Sequence, residues 1–94
     1  MIIVREFFVA KPGQASKLAK LMREVLTMSQ QKGVVMTDAV GTFNHVVMES
    51  EYENFEALQR RMADYESNPA VREKMKGYTD LWLTGGREIY QVVN

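Results

Sequence analysis

The sequence predicts an α+β domain with the element order βαββαβ. Strand-like segments lie at both ends and in the middle of the chain, and two stretches between them repeat apolar residues at helical spacing. No internal repeat, linker or low-complexity tract interrupts this order. A chain of 94 residues is therefore expected to form a single domain, residues 1–94, with a thin core.

The first strand is predicted at residues 2–10, which are rich in β-branched and aromatic residues and are followed by a chain-breaking Lys-Pro-Gly. We expect Pro12 in the first turn of a helix, because its missing N–H would have no partner there anyway. Apolar residues at helical spacing continue from Leu18 to Met28, and the helix is expected to end at Gly33.

Two further strands, at 34–42 and 45–52, are predicted to form a hairpin with a tight turn near Phe43 and Asn44. The second strand continues without a linker into another helix.

Asn54 is suited to cap this second helix, whose apolar stripe runs from Phe55 to Tyr65. Asn68 and Pro69 have the form of a second cap followed by a first helical residue, so the helix is expected to break and restart there. It is expected to end near Trp82. Gly85-Gly86 is predicted to turn the chain into a last strand at 87–93.

Two βα crossovers joined by a hairpin give a four-stranded antiparallel sheet with both helices on one face, the ferredoxin-like arrangement. Both sides of the first strand are apolar: Ile2, Val4 and Phe8 on one side, Ile3, Phe7 and Val9 on the other. Because the helices cover only one face, the other is expected to need a cover. A second copy of the chain is the simplest one, which predicts a homodimer through the sheet faces, a dimeric α+β barrel.

Composition excludes several classes of function. Twelve basic residues balance twelve acidic ones without a one-signed stripe, so nucleic-acid binding is not expected. The absence of cysteine excludes a disulfide framework and a thiolate nucleophile and favours the cytoplasm. No segment is long and apolar enough for a membrane span, and no HExxH, GxGxxG, P-loop or GxSxG motif is present.

His45 is the only side chain with an unperturbed pKa near neutrality, so it is the first candidate for a general base or a haem ligand. Strand periodicity places Glu49 and Glu51 on the same side. The three could share a proton or bind a divalent cation. The simpler alternative is a histidine at a strand entry beside solvated glutamates, and no metal site is expected.

Arg5 and Glu6 interrupt a strand that should be central, where an unpaired charge is costly, and one of them is expected to face the partner sheet. Arg5 could bind a ligand carboxylate, although an ion pair with Glu49 or Glu88 across strands is the simpler use. Trp82, Tyr78 and Tyr90 could line a pocket for a flat apolar ligand, or could pack as ordinary core.

The segments KPG, GTFNHVV, EYENFEAL and REIYQVV, in this order along the chain, resemble the NIPSNAP family of the dimeric α+β barrel superfamily. The resemblance implies the fold and the dimer more firmly than an activity. The wider superfamily includes cofactor-independent monooxygenases, proteins that bind or degrade haem, and small isomerases.

Together these observations favour binding of a small apolar or aromatic metabolite in a cleft between sheet and helices. The candidate ligand-binding residues are Arg5, His45, Glu49, Trp82 and Tyr90. One alternative is a cofactor-independent monooxygenase of the antibiotic-biosynthesis type, or an isomerase, with His45 as the candidate catalytic residue. A second alternative is a non-catalytic interaction module. No cofactor is expected, and haem is left open.

Overall fold

The computed structural model describes all 94 residues and has the predicted order of elements. The strands are β1 (Ile2–Ala10), β2 (Gly33–Thr37), β3 (His45–Tyr52) and β4 (Trp82–Gln91), and the helices are α1 (Ala15–Met28), α2 (Phe55–Ser67) and α3 (Pro69–Lys74). A short 3₁₀ turn, Tyr78–Leu81, leads into β4. No helix is long and apolar enough to cross a membrane.

The four strands form one antiparallel sheet in the order β2-β3-β1-β4, so β1 has a partner on each side. Phe8 lies opposite Val46 on β3 and Gly85 on β4, which fixes the register of the centre of the sheet. The inner face, as we call the face that the helices cover, carries the even-numbered residues of β1. The odd-numbered residues lie on the outer face, which no helix covers. The predicted ferredoxin-like fold is confirmed.

The core lies between the inner face and the helices and is thin, with only 12 of 94 residues buried. Helix α1 contributes four of these buried residues, as many as β1, because its apolar positions fall on one side of the helix. Its fully buried side chains pack against the middle of β1 and β3: Leu18 and Met22 against Phe8, Ala10 and Val46. A second, smaller cluster joins Ile2 and Val4 to Leu58 of α2.

Both predicted helix caps on the second half of the chain are confirmed. The side-chain oxygen of Asn54 accepts a hydrogen bond of 2.8 Å from the backbone N–H of Ala57. The Asn68 side chain accepts from the N–H groups of Ala70 and Val71 at the start of α3. These bonds satisfy backbone donors that a helix leaves without a partner, and therefore fix where the helices begin.

Three boundary predictions for the first half of the chain are wrong. Pro12 lies in a turn before α1, since Gly13 has a φ of +81° and the helix begins only at Ala15. Helix α1 ends at Met28 rather than at Gly33, because Gln30 takes a φ of +54° and ends the helical backbone. The hairpin between β2 and β3 has a longer connection than a tight turn, residues 38–44, because β2 already ends at Thr37.

The prediction of a turn at Gly85-Gly86 is also wrong. Both glycines lie inside β4, which runs from Trp82 to Gln91. They are needed there because β1 presses against them: a Cβ on Gly85 would lie 2.6 Å from the backbone oxygen of Phe7. A Cβ on Gly86 would lie 2.7 Å from the Phe7 ring. The two glycines are therefore required by the close approach of β4 to β1 and not by a turn of the chain.

We expect Leu18→Ala to lower the free energy of unfolding by about 2–5 kcal/mol, because it empties a fully buried position between α1 and the sheet. Urea unfolding followed by circular dichroism measures this. Leu83→Ala, at a leucine that is 63% exposed, is the matched control and should change the free energy by less than about 0.5 kcal/mol. Equal losses in the two variants would contradict the assignment of the core.

Candidate functional site

A cavity of about 660 Å³ lies between the inner face of the sheet and the helices. Pockets that hold small molecules typically have volumes of roughly 300–1,000 Å³ and mainly apolar walls. The walls here are mostly hydrophobic, with side chains from both strands and helices: Phe8, Met22, Leu26, Met48, Leu58 and Met62. Several of these are methionines, whose flexible side chains adapt to ligands of different shape. The cavity is thus of a kind that suits an apolar ligand.

One carboxylate faces this apolar cavity from the centre of the sheet. Glu6 lies on the inner face of β1, opposite Arg87 of β4. The distance from Arg87 Nη2 to Glu6 Oε2 is 3.5 Å, so the two side chains form an ion pair but not a short hydrogen bond. No side-chain hydrogen bond to Glu6 is formed, and its side chain is 27% exposed. The Glu6–Arg87 pair therefore keeps unused hydrogen-bonding capacity on both partners.

Tyr65 of α2 lines the same cavity. Burial raises the pKa of its hydroxyl to about 12, and the negative charge of Glu6 adds to the shift. Arg87 acts in the opposite direction, because a positive charge favours the phenolate. The Tyr65 hydroxyl therefore stays protonated at neutral pH and can donate a hydrogen bond inside the cavity.

A second polar region lies where α1 ends. Arg61 donates a hydrogen bond of 2.5 Å from Nη1 to the backbone oxygen of Ser29. The Ser29 Oγ is buried and has no hydrogen-bond partner. Arg61, Ser29 and Tyr65 also line a smaller neighbouring pocket of about 220 Å³. This region connects the apolar cavity with a more polar one.

Four of the five predicted ligand-binding residues lie on the other side of the sheet. Arg5 pairs with Glu49 across β1 and β3, with its Nε 2.9 Å from Glu49 Oε2. This is the cross-strand ion pair that the sequence favoured for Arg5, and the hydrogen bond to Glu49 raises the pKa of Arg5. Tyr90 lies on the same face, where the Glu88 carboxylate raises the pKa of its hydroxyl as a hydrogen-bond acceptor and a negative charge. These side chains share the outer face but not the cavity.

His45 also lies on the outer face, at the start of β3, with its ring 6.2 Å from the Phe7 ring in an edge arrangement. It is partly buried, and its backbone N–H donates to the Asp38 side chain. No group of three or more potential metal-ligating side chains is present in the structure. Strand parity alone separates His45 from the cavity, so any role in ligand binding would have to be on the outer face.

Trp82, the fifth predicted residue, packs at the end of the core. Its ring lies 5.4 Å from Phe8 and 6.1 Å from Tyr78, and its indole Nε1 is buried without a partner. It does not line the cavity, whereas Tyr78 does. None of the five predicted residues therefore contributes to the cavity wall, and their part in binding stays a prediction.

Tyr65 and Arg87 are cavity residues that the sequence did not single out, and Glu6 was predicted only to be a charge in need of a partner, not a cavity residue. One signal was available: Glu6 is a charged residue among Ile2, Val4 and Phe8 on the more buried parity of β1. A charge at such a position indicates either a partner or a ligand. The contributions of Tyr65 and Arg87 depend on how α2 and β4 pack and had no local signature.

No family model matches the sequence, and no curated protein matches it. Solved structures do match, over almost the whole chain. An uncharacterised NIPSNAP-domain protein from Burkholderia xenovorans superposes with a TM-score of 0.85 at 12% identity, over 99% of this chain and 95% of that one. A NIPSNAP family protein from Agrobacterium tumefaciens gives a TM-score of 0.85 at 12% identity, over 99% and 93% of the two chains.

The chain has the fold of the NIPSNAP-domain proteins. The same fold extends to a candidate antibiotic biosynthesis monooxygenase from Deinococcus radiodurans, with a TM-score of 0.77 at 16% identity, over 100% of this chain and 94% of that one. At these identities the likeness concerns the backbone. The NIPSNAP-like fold thus confirms the architecture implied by the sequence resemblance, while the chemistry of the cavity depends on this chain's own residues.

We expect the free energy of unfolding to fall as the pH rises from about 10 to about 12. The reason is that the pKa of the Tyr65 hydroxyl is 10.0 in the unfolded chain and about 12 in the folded protein. The unfolded state releases the proton first and is stabilised over this window. The loss should be on the order of 1 kcal/mol, below the full linkage value because the ring is only half-buried and solvent screens it.

Urea unfolding of wild type and Tyr65→Phe at pH 9, 10, 11 and 12 measures this loss. Tyr65→Phe should flatten the decline relative to wild type. An unchanged pH slope in Tyr65→Phe would show that this hydroxyl is not buried in solution.

Proposed function

We propose that this protein binds a small apolar or aromatic metabolite in the cavity between the sheet and the helices. The observation that carries the proposal is the cavity itself: about 660 Å³ with mainly hydrophobic walls and polar groups from both the sheet and the helices. The cavity is open to solvent, since lining residues such as Met62 and Ile89 are 36% and 45% exposed, so a ligand can enter it. A ligand that fills the cavity would remove this apolar surface from water.

We further propose that the protein works as a homodimer through the outer faces of its sheets. Phe7, Val9 and Val47 are only partly buried in the protomer, while Val34 and Met36 of β2 are 53% and 41% exposed. These residues share one face of the sheet. Covering them with a second copy would remove apolar surface from water, and a two-fold pair is the commonest arrangement of small proteins. The cysteine-free sequence supports a cytoplasmic location for this dimer.

A second candidate function is oxidation of the bound molecule without a cofactor. It is favoured by the shared fold with the candidate monooxygenase from Deinococcus radiodurans. In such a reaction the ligand itself reduces O₂: one oxygen atom stays on the ligand, and the other leaves as water with two of the ligand's hydrogens. Mass spectrometry of the ligand after incubation in air distinguishes this from binding, because oxidation then adds one oxygen and removes two hydrogens, whereas binding leaves the mass unchanged.

The binding proposal predicts that Ile89→Trp weakens binding of the neutral fluorescent probe N-phenyl-1-naphthylamine at least tenfold. Ile89 lies on the inner face of β4 and lines the cavity, and at 45% exposure it can accept a larger ring without disrupting the core. The indole would then occupy part of the space that the probe needs. A fluorescence titration measures the dissociation constant.

Tyr90→Trp is the matched control, because the neighbouring residue of the same strand lies on the outer face at 48% exposure. It should leave probe binding unchanged. The opposite result, loss in Tyr90→Trp only, would place the binding site on the outer face with Arg5, His45 and Glu49. No binding of the probe by wild-type protein would overturn the proposal.

The dimer proposal predicts that Phe7→Glu dissociates the protein at micromolar concentration, because it places a charge in the middle of the outer face. Analytical ultracentrifugation should show twice the 10.8 kDa chain mass for wild type and the single mass for the variant. Gln59→Glu, at an exposed position of α2, adds the same charge and should remain dimeric. A wild-type protein that sediments only as the single chain would refute the proposal.

A further inference from the structure

The Glu6–Arg87 pair is the charged part of the cavity wall that belongs to the sheet, and its hydrogen-bonding groups are incompletely satisfied. A carboxylate offers about four acceptor positions and a guanidinium five donors. Here one Nη2–Oε2 approach of 3.5 Å is the only contact between them, and Glu6 receives no side-chain hydrogen bond. Solvent reaches Glu6, at 27% exposure, less than Arg87, at 47%, so a ligand that supplies the missing partners would replace water at both groups.

The pair has one negative and one positive charge, and together they limit the net charge that a bound ligand can carry. An anion near Glu6 would be repelled by its carboxylate, and a cation would be repelled by Arg87, which already lies beside it. A neutral group avoids both penalties. Glu6 requires a donor, whereas Arg87 and the protonated Tyr65 hydroxyl require an acceptor. A hydroxyl group can serve as both donor and acceptor.

The remaining charged side chains of the cavity wall are Arg61, Arg72 and Glu66. Arg61 is held at the end of α1 by its hydrogen bond to the Ser29 oxygen. Arg72, Glu66 and Arg87 are all exposed, so solvent screens their charges more than that of Glu6, which is partly buried. The part of the wall that is both central in the sheet and enclosed by α2 is therefore the one around Glu6.

We propose that the cavity ligand is a neutral hydroxyl-bearing apolar molecule whose O–H donates to Glu6 and whose oxygen accepts from Tyr65 or Arg87, a proposal that rests on the cavity-binding function above. The apolar body of the ligand lies against Phe8, Met22 and Met48, and its polar end at the Glu6–Arg87 pair. The ligand is held at both ends, so the pair selects among molecules that fit the apolar walls equally well.

Four probes with the same ring system test this: naphthalene, 2-naphthol, 2-naphthoate and 2-naphthylmethylammonium. Each competes with N-phenyl-1-naphthylamine in the titration of the full-length protein at pH 7. We expect 2-naphthol to bind at least tenfold more tightly than the other three, because a hydrogen bond to a charged acceptor contributes about this much. In Glu6→Gln the 2-naphthol advantage should shrink several-fold and 2-naphthoate should bind better, because the repelling charge is gone while Arg87 remains.

Glu88→Gln removes the same charge from the outer face of β4 and should leave all four affinities unchanged. Thermal unfolding of each variant shows that it is folded. Equal affinities for naphthalene and 2-naphthol, or a preference for either charged probe, would overturn the inference while leaving cavity binding intact. Failure of wild type to bind either the fluorescent probe or any of the four would overturn the proposed function itself.

Discussion

Strand β1 is paired on both sides, and this constraint determines the rest of the structure. Its neighbours β3 and β4 hold Ile2 to Val9 in a fixed register, so the alternation of side chains along β1 divides the molecule into two faces. A slip of one residue would exchange the faces and bring Arg5 under the helices in place of Val4 or Glu6. The core, the cavity and the uncovered surface all follow from this register.

The adjacent charged residues of β1 show what the alternation does. Arg5 and Glu6 are neighbours in sequence but lie on opposite faces, each with a partner from a neighbouring strand. Arg5 pairs with Glu49 on the outer face, and Glu6 pairs with Arg87 beside the cavity. The first pair is short and well aligned, while the second is looser, although the two pairs are equally exposed: 46% and 47% for the arginine side chains and 27% for each glutamate. A charge is costly in a central strand unless it is paired, and the looser pair is the one placed where a ligand can complete it.

The close contact of β1 with β4 depends on the two glycines that face its aromatic residues. Side chains at Gly85 and Gly86 would collide with the backbone or ring of Phe7, so β4 could not approach with the same register. Since Arg87 directly follows these glycines, its position opposite Glu6 depends on them too. Three consecutive residues of β4, Gly85 to Arg87, thus determine both how closely β4 packs against β1 and where Arg87 lies beside the cavity.

The sequence by itself determined the element order, strands β1 and β3 with their bounds, and the two asparagine caps, because these features depend on local periodicity and on backbone groups within a few residues. It also indicated the Arg5–Glu49 pair, which follows from the topology. Only the tertiary structure decided that Gly85-Gly86 continues a strand, because the reason is the distance to Phe7 across the sheet. The cavity residues Glu6, Tyr65 and Arg87 come from β1, α2 and β4, and their meeting depends on the packing of a helix against the inner face. His45, the side chain that its chemistry singled out, lies on the outer face because the helices pack against the other parity of β3.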